Sequence, residues 1–258
     1  MRHLVLVGLL ATTALSAHAQ ERAPDQVQER LLMVGAGVLA KPLYAGSSAM
    51  EVQPLPVVLY RETFAQKHTL SLMGPTAAYD YAIDRTVSVG LQATYRSGRD
   101  ASDAAELSGM ADVDGTVEMG PTVTYQLTPK VAATAKILAD VADAHGGYTA
   151  HIGLQGRERV GEKLSLTGNV GLTYASDDFQ QAYFSVPAVQ ARADRPAYQA
   201  DGGLHSVNVS GQATYQLHGN WHLFGMAGAD VLVGDAADSP LTEQALQPRA
   251  FAGVAYKF

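Results

Sequence analysis

The chain has 258 residues, no cysteine, 25 glycines and a formal net charge of −7. Such a length fits one large β domain or two small ones, and the missing cysteines exclude a small disulfide-stapled scaffold. Mild acidity without a basic stripe excludes a nucleic-acid partner, because nothing stands ready to neutralise phosphates.

At the N-terminus, MRHLVLVGLLATTALSAHAQ joins a short basic start (Arg2, His3) to an apolar run from Leu4 to Leu15 and a small-x-small site at Ala17-His18-Ala19. That three-part grammar predicts a signal peptide over 1–19, cleaved near Ala19/Gln20. Residues 20–29 then form a short periplasmic N-terminal segment, and 30–258 the folded domain. No run of about 18 apolar residues follows, which excludes helical spans. Two classes remain: a soluble periplasmic β protein and an outer-membrane β-barrel.

Period-2 alternation recurs along the folded part. In TVSVGLQATYR, Val87, Val89, Leu91, Ala93 and Tyr95 share one face, with Ser88, Gly90, Gln92, Thr94 and Arg96 on the other. TVEMGPTVTYQL, KLSLTGNVGLTY and SVNVSGQATYQL repeat the pattern at 116–127, 163–174 and 206–217. Alternation this long predicts strands. The candidates are 30–40, 51–60, 68–82, 86–96, 113–126, 130–142, 146–158, 163–175, 204–217, 221–233 and 248–258. They mostly run ten to thirteen residues; soluble sandwiches use about five or six, whereas tilted bilayer-crossing strands need about nine to eleven. Length therefore favours the membrane.

Eleven strands cannot return both termini to the periplasm, since a single-chain barrel of this type takes an even number. The 68–82 stretch is suspect: Gly74-Pro75 interrupts it, and the apolar parity flips from Leu70/Leu72 to Tyr79/Tyr81. The 176–203 loop is the other place where pairing could hide, around Tyr183-Phe184. The expected fold is all-β, a single transmembrane antiparallel up-and-down β-barrel of about twelve strands, with ten as the alternative.

Taking the C-terminus as periplasmic, Tyr125, Tyr215 and Tyr256 fall at periplasmic strand ends and Tyr95 and Tyr174 at outer ends, all on the apolar face. Rings with a polar tip belong at the two water interfaces of a barrel, as girdles. Short connections at 127–129, 160–162 and 218–220 fit the periplasmic side; 97–111, 176–203 and 234–247 fit outer loops. The last strand, ending Tyr256-Lys257-Phe258, must pair with the first to abolish both edges. It also resembles the C-terminal signal read by the barrel-assembly machinery, with Tyr256 and Phe258 as its aromatic members.

Several motifs occur in a telling order: Lys41-Pro42-Leu43-Tyr44-Ala45-Gly46-Ser47, Pro54-Leu55-Pro56, Tyr183-Phe184-Ser185-Val186, Asp201-Gly202-Gly203, and Gly234-Asp235-Ala236-Ala237-Asp238-Ser239-Pro240. With the Tyr256-Lys257-Phe258 ending, they resemble the MipA/OmpV family of outer-membrane proteins. Lys41 and Ser185 depart from it, standing where the family has Ser and Gly. The resemblance implies an outer-membrane barrel, in one member an MltA-interacting scaffold that bridges a lytic transglycosylase to a peptidoglycan synthase. Other members are linked to small-solute passage or adhesion.

No catalytic, metal or cofactor site is expected. His68, His145, His151, His205, His218 and His222 form no triad spacing with an acid and a nucleophilic Ser. His218 and His222 straddle a turn, and no Asp cluster follows EF-hand spacing. Strand parity directs Arg96, Glu118, Lys136, Asp140, His151, Arg157 and Lys163 to the lumen, amid Ser, Thr, Gln and Asn. Mixed charges there suit either a paired network that fills the barrel or a filter for small polar solutes. Two functions follow: a scaffold whose periplasmic turns dock murein enzymes, and a narrow passive pore. Outer-membrane lipid is the expected solvent for the apolar face.

Overall fold

The structure is a computed structural model describing residues 30–258; the expected signal peptide, its cleavage point and the 20–29 segment lie outside the described residues. Twelve strands follow one another: β1 (Arg30–Pro42), β2 (Met50–Phe64), β3 (His68–Met73), β4 (Thr76–Ala82), β5 (Val87–Arg96), β6 (Thr116–Thr128), β7 (Val131–Asp140), β8 (Tyr148–Val160), β9 (Leu164–Ala175), β10 (Gly203–His218), β11 (Trp221–Leu232) and β12 (Leu246–Lys257). Each pairs antiparallel with the next, and β12 returns to β1, so the sheet closes into a barrel.

The suspect 68–82 stretch is two strands. Met73 pairs with Thr76 across Gly74-Pro75, and Gly74 has φ +53. A two-residue hairpin loop needs positive φ at its first centre, which glycine supplies, while Pro75 is locked at negative φ; that combination is a type II′ turn. The pairing hidden in the 176–203 segment is limited to isolated antiparallel bridges, Val186 with Tyr198 and Arg192 with Arg195, and Tyr183-Phe184 itself is helical. It starts with helix α1 (Asp177–Phe184), whose N-cap Ser176 accepts a hydrogen bond from the Phe179 N–H at 3.5 Å and whose first turn carries Asp177 and Asp178. Those acids suit the positive end of the helix. A single further turn, α2 (Asp235–Asp238), precedes β12.

One alternation of residues faces outward and is apolar from rim to rim. Val52 is 68% exposed, Ile152 59% and Val209 56%. In water so continuous an apolar surface would aggregate; in hydrocarbon it is what the solvent requires. The β12–β1 seam closes tightly. A Cβ on Gly35 would sit 2.0 Å from the Val254 carbonyl oxygen, and the Phe258 N–H donates to the Leu32 carbonyl at 2.9 Å. The chain's final aromatic residue is thus tied into the seam by its backbone.

The inward face differs from the polar lumen the alternation suggests. On β5–β10 it carries Gln92, Thr94, Glu118, Lys136, Gln155 and Asn208. On the middle of β11, β12, β1 and β2 it is apolar: Phe224, Phe251, Met33, Leu39 and Val57 form one buried cluster, flanked by Leu31, Leu55, Leu59 and Met226, with the ion pairs Arg249–Asp230 and Lys41–Glu51 towards the outer end. These strands are apolar on both faces, so their sequence offers no contrast from which the inward side could be read.

Candidate functional site

The most organised constellation lies at the end bearing the long loops, the outer end on the rule that periplasmic turns are short. Arg96 at the end of β5 meets Glu118 of β6 in a fork: Nε donates to Oε1 at 2.6 Å and Nη2 to Oε2 at 3.0 Å. Glu118 is fully buried, and the His145 Nε2 lies 3.3 Å from its Oε1. The His145 Nδ1 accepts from the Gly147 N–H at 3.0 Å. A neutral His145 therefore carries its proton on Nε2, the atom that faces the Glu118 carboxylate.

Helix α1 lies across this group. The Arg96 guanidinium sits 4.9 Å from the centroid of the Phe179 ring, which also meets His145 edge-on at 5.2 Å and His205 of β10 at 5.5 Å. One side chain thereby touches groups from β5, the β7–β8 loop and β10, on widely separated parts of the barrel wall. Phe179, Tyr183, Phe184, Ala200, Leu232 and Ala236 pack as a buried cluster. A second one joins Tyr44, Leu107, Met110, Val186 and Leu241 from four different loops.

Hydrogen bonds knit the loops together. The Arg99 Nη1 donates to the Tyr183 carbonyl at 2.6 Å, and the Ser239 hydroxyl to the Phe184 carbonyl at 2.6 Å. Arg195 donates to the carbonyls of Glu106 at 2.5 Å and Gln190 at 2.8 Å. Burial pushes the phenols of Tyr44 and Tyr183 up to about 12, because the anion would lose its hydration. The outer mouth is thus filled by a packed, hydrogen-bonded cap.

The expected lumen residues divide by role. Arg96 and Glu118 form the buried pair under the cap. Asp140 is spent on local architecture: it accepts from the N–H groups of Ala142, His145 and Gly146 and from the Thr116 hydroxyl, so it shapes the β7–β8 loop. Lys136 pairs in register with His151, whose Nδ1 lies 3.2 Å from the Thr173 hydroxyl, and Arg157 pairs with Thr167 nearer the periplasmic end. Lys163 stands exposed where the β8–β9 turn meets β9, its carbonyl accepting from the Gln216 N–H of β10 at 2.9 Å. Arg99, His145, Phe179, Arg195 and His205 escaped the reading as a group, since they come together only through loop folding.

Tyr95, Tyr125, Tyr174, Tyr215 and Tyr256 all fall on the outward register. Near the outer rim Tyr174 stacks with Tyr148 at 6.3 Å, and near the periplasmic rim Tyr256 packs edge-on against Trp221 and Phe258 at 5.3 and 5.1 Å. A closed antiparallel barrel with an apolar outside and ringed strand ends is a transmembrane barrel of the outer-membrane type.

The chain belongs to the family described as MltA-interacting protein MipA, whose profile matches residues 34–258. It is 28% identical over 169 residues to the outer membrane protein Omp26La of Vibrio anguillarum, a match covering 64% of this chain and 65% of that protein. OmpV of Vibrio cholerae matches with the same identity and the same shares. The chain thus spans 65% of the length of either relative. Among solved structures, the NanC porin superposes with a TM-score of 0.45 at 10% identity, over 88% of this chain and 100% of that one. A loop-deleted OmpT of Vibrio cholerae gives 0.41 at 7% identity, over 90% and 99%. The protein is an outer-membrane β-barrel.

Proposed function

We propose that the protein is an outer-membrane scaffold whose periplasmic turns hold a murein-processing enzyme, a lytic transglycosylase, near the membrane, with a peptidoglycan synthase as a second partner. The observation that carries this reading is the filled outer mouth. A barrel whose Glu118, Gln180 and Phe184 are buried under a loop cap is poorly built to pass solutes and well built to be rigid. The family's description as MltA-interacting supports the choice of partner. On this reading the paired charges of the lumen are structural filling, and the rims of Tyr95, Tyr125, Tyr174, Tyr215 and Tyr256 fix the depth of the barrel in lipid. The 1–19 segment directs export, and Tyr256 and Phe258 present the terminal strand to the assembly machinery.

The passive-pore reading is weaker because a water path would have to cross the cap. The periplasmic surface offers polar contacts for docking: Lys130 pairs with Glu158 at 2.6 Å, and Arg159, Glu162 and Lys163 stand exposed beside them. Retention of a purified lytic transglycosylase by the immobilised barrel tests the proposal. Binding that weakens when Lys130, Arg159 and Lys163 are reversed in charge is the expected result. No retention at micromolar enzyme would overturn it.

A further inference from the structure

The wall of the barrel is incomplete in its outer half. β3 has six residues and β4 seven, whereas the other strands have ten to sixteen. Six residues at about 3.3 Å each, tilted about 45°, rise about 14 Å, roughly half of a hydrocarbon core about 30 Å thick. On the β2 side the β3–β4 hairpin therefore stops well short of the outer end of its neighbour. Its tip is anchored on both sides, with the Gly74 N–H donating to the Val58 carbonyl at 3.3 Å and the Tyr95 N–H to the Pro75 carbonyl at 3.1 Å. Above it, β2 pairs with β3 only from Leu59 to Phe64, while Met50–Val57 pair with β1 alone. At the level of the tip, β2 and β5 stand about 14 Å apart, three inter-strand spacings of about 4.8 Å.

The open edge of β2 is chemically prepared for this. Because the Val58 carbonyl points to the β3 side, the backbone groups of residues 56, 54, 52 and 50 point the same way. Two of those four are Pro54 and Pro56, which have no N–H to leave unpaired. An unpaired strand edge in hydrocarbon is costly and prone to pair with strangers, and proline is a standard means of blunting it. The Pro-Leu-Pro motif thus keeps the gap open instead of closing it with a strand.

Behind the gap lies a small cavity, part of it open to the surroundings. It reaches the wall at Pro56, Val58 and Gly74, the β2 edge and the hairpin tip. Inside, one side is apolar (Val57, Leu59, Met73, Phe224, Met226 and Phe251), and the other carries the uncharged polar groups of Asn169, Ser210 and Gln212. Such a lining suits a small organic ligand, held by apolar walls and oriented by a few convergent polar groups.

We propose that this gap is a lateral portal from the outer leaflet, and that the cavity behind it binds an uncharged amphiphile with an apolar body and a hydrogen-bonding head. The amphiphile enters sideways from hydrocarbon, beneath the cap, and the mouth takes no part. This inference is independent of the scaffold reading, since it concerns the wall and the lumen and not the periplasmic turns.

Photo-crosslinking in the intact barrel tests it. p-Benzoylphenylalanine is placed singly at Met73, Met226 and His151 in barrels held in phosphatidylcholine nanodiscs containing 1-N-phenylnaphthylamine. Heat-modifiable gel migration checks that each folds, and Phe251 is the alternative to Met226. All these positions face the lumen, but His151 does not line the cavity. The expected result is lipid or probe adducts at Met73 and probe adducts at Met226, each about tenfold above those at His151. Equal adducts at all positions, or none, would overturn the site. Adducts at Met226 without any at Met73 would overturn the portal.

Discussion

Removing the Glu118 carboxylate is the sharpest perturbation of the cap. Its side chain has no exposure, and it compensates Arg96, 31% exposed, through two hydrogen bonds at 2.6 and 3.0 Å. Breaking a buried pair by deleting one partner costs about 3–5 kcal/mol, because the surviving charge is left uncompensated. Arg96 keeps some access to water, so we expect a smaller cost than that, about 2–4 kcal/mol, in Glu118→Ala. The loss falls on the cap, since Arg96 also holds the Phe179 ring. Amide exchange across 177–184, read by mass spectrometry in nanodiscs, should accelerate about 30- to 1,000-fold, each 1.4 kcal/mol being tenfold. An apolar double variant, Arg96→Met with Glu118→Leu, should recover most of the protection, as filling a buried pair with apolar volume is often neutral. Exchange within about twofold of the parent in Glu118→Ala would refute the reasoning.

Three further outcomes follow from the same structure. Leu39, fully buried in the apolar lumen cluster, should cost about 2–5 kcal/mol when truncated to alanine, measured as a shift of the urea unfolding midpoint in detergent. Gly35→Val should block closure of the β12–β1 seam, since even a Cβ would meet the Val254 carbonyl at 2.0 Å; loss of the compact, heat-modifiable gel band reads it out. Tyr44 and Tyr183, pushed up to about 12 against about 10 in an unfolded chain, should stay protonated at pH about 11 in an absorbance titration at about 295 nm. Folded-state pKa values raised in this way add stability that is complete below pH about 10 and is lost as pH climbs towards 12, so the cap should loosen in alkali. A single tyrosine transition near 10 would contradict it.

The sequence was most legible where the two faces of a strand differ. On β5, β6, β9 and β10, lipid outside and polar lumen inside write a clean alternation, and Tyr95, Tyr125, Tyr174 and Tyr215 could be placed on the outward register from parity alone. Gly74-Pro75 also announced its turn, because only glycine accepts the first position and proline ends pairing. On β1, β2 and β12 the signal vanished: Leu39 and Val38, or Phe251 and Val254, are equally apolar though they face lumen and lipid respectively. The cap was illegible because its chemistry is non-local. Arg96, Glu118, His145 and Phe179 belong to four separate segments, and no spacing within any of them announces the meeting. Pro54-Leu55-Pro56 was visible as a motif, yet its meaning depends on where β3 stops.

The central claim is that the outer mouth is closed by its own loops. Planar-bilayer recording on the purified barrel tests it most directly, with a companion in which residues 177–202 are replaced by a short Gly-Ser linker. The account predicts no conductance steps from the native protein and discrete steps once α1 and its loop are gone. Steady ohmic conductance from the native barrel, unchanged by that replacement, would contradict it.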